Sequence, residues 1–435
     1  MLTSSRLTSA SNMATAIATF CQVLVFAAIV FVGHAALSTK PDGQIVRTQY
    51  GDVRGMYVEE GVIFLGLPFG VPPVGELRWK PARTYNMSWA PEVRDGTVPG
   101  PACRQGGCGP NQSDYQHTCN RDKARTQSED CLYLNVFVPR SVLNSTARLP
   151  VMCWFHGGQY VTGTGAALVY DGRILANKTD TVVVTTNYRL GAFGYLVTGD
   201  GEDDARGNYG TLDQIEALKW IQQNIADFGG DKDKVTIFGQ SAGSDSVAVL
   251  LTSDGAADLF HQAIMLSVPF SINHKTQFEA IRLGSEITKL ANCSVGDMKC
   301  LRSKPADIIL HASDHTFWNR YNYCNGHVCH GEDLPFVFQT PLLINLTFTP
   351  DEQVLADAMA YHYGNFAHTG DPNKPSPHFY TTGSVLKSHL NWPKYNEENQ
   401  FPNMNFTTPE SVIVHDYNKG KCDFWDKENV YSGSS

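Results

Sequence analysis

The tightest constraint in this chain lies at residues 228–243, FGGDKDKVTIFGQSAG, where the apolar run 235–238 leads straight into Gly239-Gln240-Ser241-Ala242-Gly243. A G-x-S-x-G pentad between a strand and a helix makes a sharp turn. The glycines two residues to either side relieve the crowding that comes with lifting the central serine above the sheet edge. Ser241 is therefore expected to stand exposed, with the following helix aiming its first backbone N–H groups at developing negative charge. The pentad alone is a common pattern, and it is the FGGD lead-in, the strand and the SAG continuation that give it meaning.

The surrounding periodicity fits a sheet that such a turn could crown. Runs at 45–50, 61–67, 132–138 and 149–155 alternate or stay apolar as buried strands do, and 263–268 reads as another. TVVVTTN at 181–187 is the β-branched run of a central parallel strand. Residues 212–228 repeat apolar side chains at helical spacing and stop at Gly229-Gly230, and 247–251, 278–291 and 351–367 also read as helices. Strands alternating with helices predict an α/β architecture, a mostly parallel central sheet with helices on both faces.

The chain has 435 residues, 42% hydrophobic and 18% charged, enough for a large core and too polar for a multi-span membrane protein. A net charge of −9 without a long basic run argues against nucleic acid as a partner. Arg6 ahead of an apolar run at 14–32, with Gly33-His34-Ala35 at the cleavage positions, predicts a signal peptide over 1–35 and a mature domain over 36–435. An uncleaved signal anchor is the alternative. No second apolar run is long enough to span, so no stable membrane span is expected after cleavage, and secretion follows as the expected route.

Ten cysteines lie beyond the leader: Cys103, Cys108, Cys119, Cys131, Cys153, Cys293, Cys300, Cys324, Cys329 and Cys422. Their local clustering suggests short disulfide loops rather than zinc, and neither a metal nor another cofactor is expected. Sequons at Asn86, Asn111, Asn144, Asn177, Asn292, Asn345 and Asn405 point to the same oxidising compartment.

Several blocks in order resemble the type-B carboxylesterase and cholinesterase family of α/β-hydrolases over nearly the whole mature chain. They are Phe64-Leu65-Gly66-Leu67-Pro68-Phe69 with Leu77-Arg78-Trp79, Glu129-Asp130-Cys131-Leu132-Tyr133-Leu134-Asn135, Asn187-Tyr188-Arg189-Leu190-Gly191, and Gly207-Asn208-Tyr209-Gly210. The resemblance implies that Ser241 is the acyl-accepting nucleophile. Cys329-His330-Gly331-Glu332 resembles the catalytic histidine loop, making His330 the general base. His156-Gly157-Gly158-Gln159 resembles the oxyanion loop, with N–H donors from Gly158, Gln159 and Ala242; Gln159 stands where many relatives have a third glycine. The likeness also implies disulfides Cys103–Cys131 and Cys293–Cys300, more weakly Cys108–Cys119 and Cys324–Cys329, and ion pairs Arg78–Glu129 and Arg189–Asp213.

One part of the family pattern is missing. Relatives carry the third catalytic residue, usually Glu, between nucleophile and histidine, whereas here Ser241 and His330 are only 89 positions apart and no acid loop appears. The fold is therefore expected to be incomplete between Ala312 and Asn322, and the catalytic acid is unassigned, with Glu332 and Asp333 as nearby carboxylates. Cys422 resembles a family cysteine whose partner would lie in the missing stretch. The leading expectation is a secreted carboxylic ester hydrolase for small neutral esters, impaired by that loss; the alternatives are a non-catalytic cholinesterase-like interaction protein or an inactive splice product. Cholinesterase activity is disfavoured, since no tryptophan lies between Cys103 and Cys131 to hold a quaternary ammonium and Gln240 replaces an acidic residue.

Overall fold

A computed structural model describes residues 43–106, 127–144, 146–268, 274–317, 330–331, 333–344, 346–376, 390–417, 420 and 427. Seven strands form the central sheet: β1 Met56–Val58, β2 Gly61–Pro68, β3 Tyr133–Pro139, β4 Leu149–Phe155, β5 Val182–Thr186, β6 Gly230–Gln240 and β7 Gln262–Leu266, in spatial order β7-β6-β4-β5-β3-β2-β1. The four strands β7, β6, β4 and β5 run parallel, while β3, β2 and β1 add on antiparallel, so the sheet is mixed.

Alternation along the strands divides the side chains between two cores. Val151, Cys153 and Phe155 of β4 point into one, with Val182, Val184, Val235 and Ile237. Met152 and Trp154 point into the other, with Val183 and Phe238. Both faces are covered, which is why the middle strands read as unbroken apolar runs. Helices α2 (Tyr209–Asn224) and α3 (Ala242–Leu251) close the first core through Leu218, Ile221, Val247 and Leu250. On the other face lie α1 (Arg173–Thr179), α6 (Leu334–Phe338) and α7 (Pro350–Thr369), contributing Leu175, Val337, Phe338 and Tyr363.

A third cluster packs Trp79, Phe193 and Tyr209 against α4 (Gln277–Leu290) and α5 (Ala306–Phe317) through Ile287 and Ile309. Two helices carry complete capping boxes, Thr276 with Glu279 on α4 and Thr349 with Glu352 on α7, where Pro350 takes the first turn and Gly370 the exit. Helix α5 runs past Ala312 to Phe317, and Asn322 lies outside the described residues. So do residues 1–42, which hold the expected leader. Among the described residues no helix is long and apolar enough to cross a membrane.

Cys103 is joined to Cys131 and Cys293 to Cys300, with S–S distances of 2.06 and 2.02 Å. Cys108, Cys119, Cys324, Cys329 and Cys422 lie outside the described residues, and Cys153 is a free, buried thiol whose pKa burial pushes far up, leaving it unreactive. Both ion pairs form. Arg78 grips Glu129 at 2.5 Å and also donates to the carbonyl oxygen of Lys304, and Arg189 makes a fork with Asp213 at 2.7 and 2.8 Å. Sequons at Asn86, Asn177, Asn292 and Asn405 are exposed, while Asn111, Asn345 and the side chain of Asn144 lie outside the described residues.

Phe338 fixes α6, and hence the exit from the His330 loop, to the sheet. Its ring is fully buried, with centroids 4.9 Å from Trp154, 5.7 Å from Tyr170 and 5.9 Å from Phe238. Phe338→Ala should lower unfolding free energy by about 3–5 kcal/mol, read from the denaturant midpoint at constant slope. A loss below about 1 kcal/mol would mean that α6 is not docked there.

Candidate active site

Three parallel strands end together beneath the site. Strand β4 gives way to His156 and the glycine loop, β6 to Ser241, and β7 ends at Leu266, whose carbonyl oxygen accepts from the Ser241 N–H at 3.0 Å. This is the carboxyl edge of a parallel sheet, where open α/β folds place their ligands.

Ser241 has φ 57° and ψ −125°, a backbone state that side-chain-bearing residues rarely occupy and one that costs on the order of 1–3 kcal/mol. The flanking glycines make it attainable. A Cβ on Gly239 would lie 2.4 Å from Gly243, and one on Gly243 would lie 1.9 Å from the carbonyl oxygen of Phe155. Helix α3 starts immediately behind, so the Ala242 amide has no carbonyl four residues back to bond.

The glycine loop presses onto the serine. A Cβ on Gly157 would stand 3.1 Å from that of Ser241 and 2.7 Å from the Gln240 carbonyl oxygen. Gly158 adopts φ 111°, and Gln159 takes φ 57° in spite of its side chain, followed by Tyr160 at φ 62°. Two successive left-handed residues cost on the order of 1–2 kcal/mol each. Among the described residues the amides of Gly158 and Gln159 donate to no carbonyl, and Gln159 is exposed.

His330 is exposed, and its Nε2 sits 3.1 Å from the Gln240 side-chain nitrogen, one residue from Ser241. Taken as the amide donating, this contact leaves Nε2 unprotonated and the proton on Nδ1. Among the described residues no carboxylate is hydrogen-bonded to this imidazole; Glu332 lies outside them. Asp333 starts α6 beside it, where burial holds its carboxyl above the ordinary carboxylate range while its own backbone N–H and His330 pull the other way.

The fold gathers here several residues that no sequence motif singles out. In the sequence Gln240 stands out only as the replacement of an acidic residue. His156 is fully buried, stacked on Tyr188 at 4.4 Å, with Nδ1 2.8 Å from the Gly157 carbonyl oxygen and, among the described residues, no partner for Nε2. Tyr160 donates its hydroxyl proton to Asp245 Oδ2 at 2.8 Å. Nothing in the sequence marks Tyr160 and Asp245, which are 85 positions apart.

A doubly covered mixed sheet carrying a strained serine between strand and helix is the α/β-hydrolase arrangement. The chain belongs to the carboxylesterase family, whose model matches residues 42–324 and 315–425. Rat (Rattus norvegicus) carboxylesterase 1D is 41% identical over 283 residues, covering 62% of this chain and 48% of that protein. The para-nitrobenzyl esterase of Bacillus subtilis (strain 168) is 40% identical over 272 residues, 62% of this chain and 53% of that protein. The chain thus spans about half the length of the curated relatives it matches. A solved thermophilic PNB esterase superposes with a TM-score of 0.73 at 25% identity, covering 87% of this chain and 99% of its own.

Burial lowers the His156 pKa from 6.5 to about 4, with the Gly157 carbonyl only partly offsetting it. The unfolded chain therefore binds the extra proton between those values, so stability is retained above pH 6.5 and falls as pH drops toward 4, by up to about 3 kcal/mol. Denaturant midpoints measured across this window should decline for the native chain and decline less for His156→Gln. Parallel curves would show that His156 takes up its proton over the same pH range folded as unfolded, contradicting a lowered pKa.

Proposed function

We propose that this chain is a secreted carboxylic ester hydrolase that acts through an acyl-Ser241 intermediate on small neutral esters. The observation that carries the reading is the strained Ser241, packed against Gly157 and flanked by His330 across Gln240. In this reading His330 Nε2 gives up the Gln240 amide for the Ser241 hydroxyl and takes its proton as Ser241 Oγ bonds to the ester carbonyl carbon, and the carbonyl oxygen becomes an oxyanion. The N–H groups of Gly158, Gln159 and Ala242 receive that charge. Collapse of the intermediate expels the alcohol, which leaves with the proton held by His330. A water molecule, deprotonated by the same imidazole, then releases the acid and restores Ser241.

The missing partner is the acid. A family match in two stretches that overlap at 315–324 supports loss of an internal segment at the point where relatives carry it. Without that carboxylate the imidazolium is less stabilised, and turnover should drop on the order of 10⁴-fold, the loss seen when the acid of a serine protease triad is replaced. Secretion is supported by two disulfides and four exposed sequons.

An assay on a simple aryl ester tests this with three proteins: the chain, its Ser241→Ala variant, and a version with the segment between Ala312 and Asn322 restored. The chain should be far slower than the restored protein, and its residual rate should vanish in Ser241→Ala. Equal rates for the chain and the restored protein would assign the acid to a nearby carboxylate such as Glu332 or Asp333. A rate that Ser241→Ala leaves intact would favour the non-catalytic interaction protein or inactive splice product.

A further inference from the structure

The glycine loop carries two non-glycine residues in the left-handed region, Gln159 at φ 57° and Tyr160 at φ 62°, where a third glycine would sit without strain. Something must hold them there, and Tyr160 is fastened at both ends. Its carbonyl oxygen accepts from the Gly191 N–H at 2.7 Å. Its hydroxyl donates to Asp245 Oδ2 at 2.8 Å and receives the Ser246 hydroxyl at 3.3 Å. Ser246 is in turn placed by the Gln214 amide at 2.9 Å and lies 2.9 Å from the Ala242 carbonyl oxygen. The ring packs edge-on against Tyr195 with centroids 5.1 Å apart.

Asp245 sits one helical turn behind the nucleophile, its N–H bonded to the Ser241 carbonyl oxygen at 2.9 Å. Its side chain is largely buried, with His274 Nε2 3.6 Å from Oδ1. A buried carboxylate oxygen that accepts a phenol proton from a neighbouring loop ties the two segments together. We propose that Tyr160 and Asp245 are positioning residues, a clamp that holds the Gly158 and Gln159 amides in register with Ser241 and takes over the part a third glycine would play. The proposal deepens the esterase reading and rests on it only for its kinetic consequence.

Two measurements on the whole chain test it with Tyr160→Phe, Asp245→Ala and Asp245→Asn. In hydrogen exchange of the peptide spanning residues 156–163, Tyr160→Phe and Asp245→Ala should each speed the Val161 and Thr162 amides, which close the loop by donating to the Gly158 carbonyl oxygen at 3.0 Å, about tenfold, what one ordinary hydrogen bond gives. Asp245→Asn keeps an oxygen that accepts the phenol proton and should restore most of the protection. On the aryl ester the first two variants should lose up to about 10²-fold in kcat with KM within about twofold, the pattern of misplaced donors rather than lost binding. The double variant Y160F/D245A should be no worse than either single.

Unchanged exchange in Tyr160→Phe, or Asp245→Asn as exposed as Asp245→Ala, would overturn the clamp. The exchange arm needs no turnover. An unmutated chain that hydrolyses nothing therefore counts against the esterase reading alone, and the clamp is still decided.

Discussion

The backbone of Ser241 is the point on which the arrangement depends. A residue at φ 57° and ψ −125° is held only if the chain on each side is fixed, and here Leu266 grips its N–H while its carbonyl oxygen begins α3. Gly243 then allows the helix to lie so close to the end of β4 that any side chain would overlap the Phe155 carbonyl oxygen. Because β4 continues directly into His156 and Gly157, that approach also delivers the glycine loop to the serine. Ser241 and the glycine loop are thus one mechanical unit, set by three parallel strands and two glycines.

The histidine side is built differently. His330 arrives on a loop of the opposite face, and its position depends on Phe338 and Val337 entering the second core two turns of chain later. Its side-chain contact with the site is the Gln240 amide, a neutral group that sets the tautomer and cannot stabilise an imidazolium as a carboxylate does. Burial also keeps His156, beside the glycine loop, uncharged.

Much of this was legible in the sequence, for physical reasons that differ by element. The strands around 149–155, 181–187 and 235–238 could be read because a sheet covered on both faces needs unbroken apolar runs, but the same pattern says nothing of strand direction, so the antiparallel β1, β2 and β3 were not foreseen. Ser241 was legible because strain of that kind requires glycine at fixed offsets. Gln159 was identified as the departure from the glycine loop, and it adopts the left-handed state with its side chain in place. The Tyr160–Asp245 contact was invisible, since it exists only once β4, α2 and α3 have assembled, and neither residue belongs to a short motif.

The central claim, that the elbow presents an activated serine, is tested most directly by labelling the intact chain with an organophosphonate probe and mapping the adduct by mass. The account predicts a single adduct on the peptide carrying Ser241 and none in Ser241→Ala. An adduct on another residue, or no adduct under conditions in which a full-length relative labels readily, would contradict it.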